Sequence, residues 1–234
     1  MTSSNPLDTV FYVTLPENFD LSKHAFQIDR TIPLPVQKKD GQADEDFSLQ
    51  DLTQEQILAG ILTVLGYDRE NKNAEYYRSI ITHVRPDIKK ELSEAAILKT
   101  KNEDFDMAEE LFTALRGLDP ADIGITLNYA LYLDQRADSY RRSSLIDDAD
   151  ACDAEAEANY KIVMENDPAV PDGFFNAGFF YMKCHDFRKA RDCFETYVAL
   201  TCDVSDEDLG QNGIYKKERA QEILDNIKNQ NMDD

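Results

Sequence analysis

Cys184, Cys193 and Cys202 recur every nine residues and His185 follows the first of them, so donors of the kind that hold zinc share one stretch of chain. Zinc sites draw on close cysteine pairs, separated by about two to four residues, and none of these three has such a neighbour. The four cysteines of the chain therefore read as isolated, reduced thiols, and no metal is expected. His24, His83 and His185 fall in unrelated segments, with neither a His-Glu-x-x-His run nor a phosphate-cradling glycine loop. The acidic run over residues 147–157 lacks the glycine and the ligand spacing of a calcium loop, and fits a solvated helix face. No catalytic constellation is visible, and neither an enzyme nor a cofactor is expected.

Charge narrows the partners. The 234 residues include 46 acidic against 25 basic ones, a formal charge of -21. Such a field repels nucleic-acid phosphates and anionic lipid headgroups, so neither is an expected ligand. No apolar run approaches a membrane span, and residues 1–20 have no basic start followed by an apolar core, so a cytoplasmic protein is expected.

The elements that would position a binding surface are helical. Pro86, Pro120 and Pro168 close stretches that read alike, and the first two stand 34 residues apart. Ala108 and Phe112 precede Pro120 as Ala156 and Tyr160 precede Pro168. A further unit, Phe174, Ala177, Gly178 and Tyr181 followed by Phe187, Ala190, Phe194 and Tyr197, has the same order of large and small residues. On these residues the chain resembles the tetratricopeptide repeat family, in which a helix-turn-helix unit recurs at that period. The resemblance implies a mostly α, right-handed superhelix of helix hairpins closed by a C-terminal capping helix.

Four repeats are placed within residues 53–204, over 55–88, 89–122, 123–170 and 171–204. The first is degenerate, because Leu62 stands where a small residue is expected and Arg78 where an aromatic is usual. The third is long: 48 residues separate Pro120 from Pro168. Its excess, shared between two helices, adds roughly 10 Å to each and makes a hairpin projecting to a tip near Arg142, Ser143 and Ser144. Residues 205–234 hold the cap, an amphipathic helix from Ile214 to Lys228 preceded by interruptions at Gly210 and Gly213. Residues 1–52 are a short extended or β arm and linker. β-Branched and aromatic residues mark extended chain at 9–15 and 26–32, Pro33 and Pro35 end any pairing, and Thr53 with Gln56 forms a capping box. The arm's Phe11, Tyr12, Phe19 and Phe26 favour packing on the helices.

In the family, first helices of successive hairpins line a concave groove that takes an extended peptide or a helix. Carried onto this chain, the groove positions are Ile97 and Lys101, then Leu127, Leu131 and Gln135, then Phe175, Phe179 and Lys183. Asn128 and Asn176 fall where the family commonly has an asparagine whose amide bonds a peptide backbone; equally, they would tie neighbouring helices together. Glu94 and Asp172 stand where a clamp for a terminal carboxylate would be basic, which favours an apolar stretch or an amphipathic helix as ligand. The expected function is a non-catalytic scaffold, adaptor or chaperone-like cofactor binding another protein or peptide segment. The alternative is an enzyme or small-ligand sensor with its site between the arm and the groove.

Overall fold

The computed structural model describes residues 5–15, 28–39 and 52–229. Among them are nine α-helices and one two-stranded sheet, so the fold is mostly helical with a small β element. The chain divides into two compact units, Met1–Asp122 and Ile123–Asp234.

Unit one opens with a short 3-10 helix, Pro6–Thr9, whose Leu7 N–H is capped by the Asn5 side chain. Strand β1 (Val10–Val13) pairs antiparallel with β2 (Leu34–Gln37), setting Val10 opposite Gln37 and Val13 opposite Leu34. The second extended segment is thus corrected. Phe26 and Gln27 lie outside the described residues, and Asp29 to Ile32 form a turn in which Asp29 Oδ1 accepts from the Thr31 N–H at 2.9 Å and its hydroxyl at 2.7 Å. The strand is instead the Leu-Pro-Val-Gln segment that the prolines seemed to exclude.

Register explains why Pro35 is accepted there. The Lys38 N–H donates to the Thr9 carbonyl at 2.8 Å, and alternation along an antiparallel ladder then makes Tyr12 and Pro35 a non-hydrogen-bonded pair. An N–H at residue 35 would point away from β1, toward the edge along which helix α1 (Gln54–Tyr67) lies. There Gln56 Nε2 donates to the Gln37 carbonyl at 3.2 Å, and a Cβ on Gly60 would come within 2.6 Å of the Pro35 carbonyl oxygen. A helix interior has no spare acceptor, so a donor at that edge would be buried unpaired; proline has none to bury.

Helix α1 starts on the expected capping box, with both Thr53–Gln56 bonds at 3.2 Å. Its Ile57, Ile61, Val64 and Leu65 join Val13, Leu15, Leu34 and Val36 of the arm and Tyr77, Ile80 and Ile81 of α2 (Ala74–Val84) in one core. The Tyr77 hydroxyl closes it by donating to the Pro33 carbonyl at 2.7 Å. Tyr12 stays half-exposed, and Phe19 and Phe26 lie outside the described residues.

Helices α3 (Ile88–Lys101) and α4 (Phe105–Leu118) form the next hairpin, burying Ala96 against Ala108, Phe112 and Leu115. Helix α1 packs directly on α4, and glycine permits it: a Cβ on Gly117 would lie 2.2 Å from the Leu65 carbonyl oxygen. Arg78 ties α2 to the same place, its Nε donating to the Gly117 carbonyl at 2.9 Å.

Unit two contains α5 (Ile123–Arg142), α6 (Ile146–Met164), α7 (Pro171–Lys183), α8 (Phe187–Thr201) and α9 (Asp206–Asn229), each packed on the next. The long α5–α6 hairpin turns at Ser143, Ser144 and Leu145, with Ser144 at φ 61°. Ala130, Ala137, Ala149 and Ala156 are fully buried, so small side chains let these two long helices lie close. Gly178 does the same for α7 and α8, since a Cβ there would meet the Phe194 ring at 2.7 Å. Helix α9 begins earlier than its apolar stripe indicated and breaks at Gly210, whose φ of 62° and ψ of 175° suit glycine. Beyond the break it buries Ala220, Ile223 and Ile227. No helix among the described residues is long and apolar enough to cross a membrane.

Candidate functional site

Leu127, Leu131, Asp134 and Asp138 follow one another at spacings of three and four along α5, and Asn176, Phe179 and Lys183 do so along α7. Lys183 joins the two stripes, its Nζ bonding Asp134 Oδ1 at 2.5 Å and Asp138 Oδ2 at 2.7 Å. Lys216 of α9 bonds Asp172 Oδ1 of α7 at 2.7 Å and stands 5.6 Å from the centroid of the Phe175 ring. Lysine–aspartate pairs thus tie α5 to α7 and α7 to α9.

On this face Leu127, Asn128, Leu131, Asn176 and Phe179 are half-buried, while Gln135 and Lys183 are exposed. Phe175 is only 8% exposed. Its ring packs on Phe179 at 5.1 Å, Tyr197 at 5.1 Å and Phe194 at 6.1 Å, inside the α7–α8 core. Asn176 donates from Nδ2 to the Asp172 carbonyl at 2.7 Å, a bond within its own helix. Ile97, half-buried, and Lys101, exposed, lie on α3 and so belong to unit one.

Burial raises the Asp134 carboxyl above the ordinary aspartate range, and the Lys183 ammonium opposes that shift. Burial likewise raises the phenol of Tyr160, with the Asp134 charge adding to it. The pairing of Asp134 and Asp138 with Lys183, and of Lys216 with Asp172, escaped the sequence reading, because it depends on how far one helix is offset along another. The repeated Asp spacing of four on α5 was the available signal.

Among the described residues no three His, Cys, Asp or Glu side chains gather as metal ligands, and none of the four cysteines is in a disulfide. Cys184 and Cys202 are exposed, Cys152 is half-buried and Cys193 is buried. Burial pushes the Cys193 thiol up to about 12, and its Sγ lies 3.7 Å from Met164 Sδ. Since the thiolate is the nucleophile, iodoacetamide at about pH 8 is expected to modify Cys202 in the folded protein and to reach Cys193 only in denaturant. Peptide mapping of the alkylated protein checks this; equal labelling of both thiols in the native state contradicts the burial of Cys193.

Comparison of the chain with known protein families, with curated proteins and with solved structures finds no match.

Proposed function

We propose that the chain is a non-catalytic protein-binding scaffold of the tetratricopeptide kind, an adaptor or chaperone-like cofactor. The α5–α7 face of unit two takes an apolar peptide or an amphipathic helix from a partner protein. The observation that carries this reading is the pair of salt bridges from Lys183 to Asp134 and Asp138. It fixes two helices beside each other while Leu127, Leu131 and Phe179 remain partly open on the same stripes. Apolar side chains at helical spacing, framed by fixed charges, suit the helix-in-groove mode of recognition. Asp138 is shared with Arg141 at 3.3 Å, so Asp134, Asp138 and Asp172 are met by Lys183, Lys216 and Arg141; the chain's overall charge of -21 is what favours a ligand with some positive charge.

Leu131→Glu and Phe179→Glu test it. Each is expected to lower partner capture from the native source by about tenfold or more, the loss of one buried apolar anchor plus an added charge. Helicity should be retained, because a carboxylate at a half-buried position keeps contact with water. Placing it in a true core would cost several kcal/mol and unfold the hairpin. Full capture by both variants sinks the proposed face, and collapse of the circular dichroism spectrum assigns the position to the core.

A further inference from the structure

Unit one carries an open trough of about 830 Å³ between α1, α3 and α4, bounded also by the 3-10 helix and β2. Its apolar walls include Leu62 and Tyr67 of α1, Leu92 of α3, and Met107 and Leu111 of α4. Tyr67 is 43% exposed and Met107 41%, so two large side chains stand open on one hollow instead of singly. Loose packing does not account for it. The adjoining joint is tight, since a Cβ on Gly66 would sit 3.0 Å from Thr113 Cγ2 and one on Gly117 2.2 Å from the Leu65 carbonyl oxygen. The glycine-permitted crossing draws α1 onto α4, and Leu92 of α3 is left facing the hollow.

Thr9, Gln37, Thr63 and Glu110 supply the polar groups of the trough, and its charge is one-sided. The Thr63 hydroxyl lies 3.1 Å from Gln37 Oε1 and 3.0 Å from the Ala59 carbonyl, so it is already engaged. Glu110 is the charged residue of the lining, and no lysine or arginine lines it among the described residues. With Glu109, Glu110 adds to the burial that raises the Tyr67 phenol, so negative potential reaches the wall. Small-ligand pockets enclose most of the ligand surface, and this hollow is open along its length. We propose that the trough docks an amphipathic helix of a partner protein, which inserts apolar residues among Leu62, Leu92, Met107 and Leu111. The flank of that helix carries lysine or arginine opposite Glu110. Anchors one and two turns apart on such a helix span about 10 Å, and the flexible Met107 thioether adapts to their shape.

The proposal does not depend on the unit-two face, and the test keeps them apart. A fluorescent amphipathic peptide of about 14 leucine and lysine residues, two helical heptads long, is titrated with the full chain, and its anisotropy is followed. Binding is expected, with Glu110→Lys and Met107→Ser each weakening it by about tenfold or more. In the Phe179→Glu chain, whose unit-two face is impaired, binding at the trough should persist and stay sensitive to both unit-one substitutions, and a leucine–glutamate peptide of the same pattern should not bind. Both substituted unit-one side chains are exposed, so the variants keep the fold, which circular dichroism verifies. No binding, equal binding of the acidic peptide, or loss of binding in Phe179→Glu each overturns the proposal. So does a concentration-dependent dimer that Met107→Ser abolishes, since a second copy would then fill the trough.

Discussion

Gly117→Val is expected to destabilise unit one by about 3 kcal/mol or more. A Cβ at this position would lie 2.2 Å from the Leu65 carbonyl oxygen, 2.3 Å from its carbon and 2.7 Å from the Gly66 nitrogen. Overpacking in cores commonly costs about 1–3 kcal/mol because flexible side chains give way. Here the obstacle is backbone inside a packed helix, with Arg78 bonded to the Gly117 carbonyl at the same point. The cost therefore belongs at or beyond the top of that range, a large share of the roughly 5–15 kcal/mol that holds a domain together. Guanidinium unfolding should show a loss of about 3 kcal/mol or more, and Gly117→Ala should move the same way by less. A valine variant within about 0.5 kcal/mol of the parent, the range of an ordinary surface substitution, would mean that α1 does not cross α4 at this residue.

Phe194→Ala has the next largest expected effect. The side chain is fully buried, with its ring 5.2 Å from that of Phe179 and 6.1 Å from that of Phe175. Truncating a buried phenylalanine costs about 3–5 kcal/mol, from lost transfer energy and from the cavity left behind. The contact with Gly178 supplies a second measurement. Gly178→Ala should destabilise the parent, because its new methyl meets the Phe194 ring, and should be tolerated far better once that ring is gone. A double-mutant cycle is expected to give a coupling of about 1 kcal/mol or more, within the range for residues in contact. Additive losses would show that the two positions do not touch.

Much of the helical architecture was legible in the sequence, because apolar residues at spacings of three and four mark a buried helix face wherever that face ends up. The lengthened α5–α6 hairpin, the capping box at Thr53 and the break at Gly210 all follow from local signals. Strand β2 did not. Proline halts a strand only if its absent N–H faces the partner, and that depends on the register of a ladder not visible in one segment. The meeting of α1 and α4 was hidden for a related reason: Gly66 and Gly117 look like weak helix residues until the opposing backbone is in place. Within the candidate site, Leu127, Leu131, Phe179 and Lys183 fall on their stripes by period alone. Phe175 and Phe179 both reach the Phe194 ring, at 6.1 and 5.2 Å, but Phe175 alone also packs on Tyr197 and under Lys216, and it is the one that is buried.

The crossing of α1 on α4 bears on the order in which the protein acquires its structure. Leu65 and Gly117 are 52 positions apart, so unit one gains that joint only after a long closure has been made. In unit two, by contrast, most packing joins each helix to its successor, and hairpins such as α5–α6 close through a few residues at a turn. Each doubling of a loop adds only about 0.6 kcal/mol of closure entropy, a modest equilibrium cost. Folding rate is more sensitive, because distant contacts reward the chain late. Unit two is thus built for rapid, stepwise formation from local hairpins, while unit one stays incomplete until its most distant partners meet.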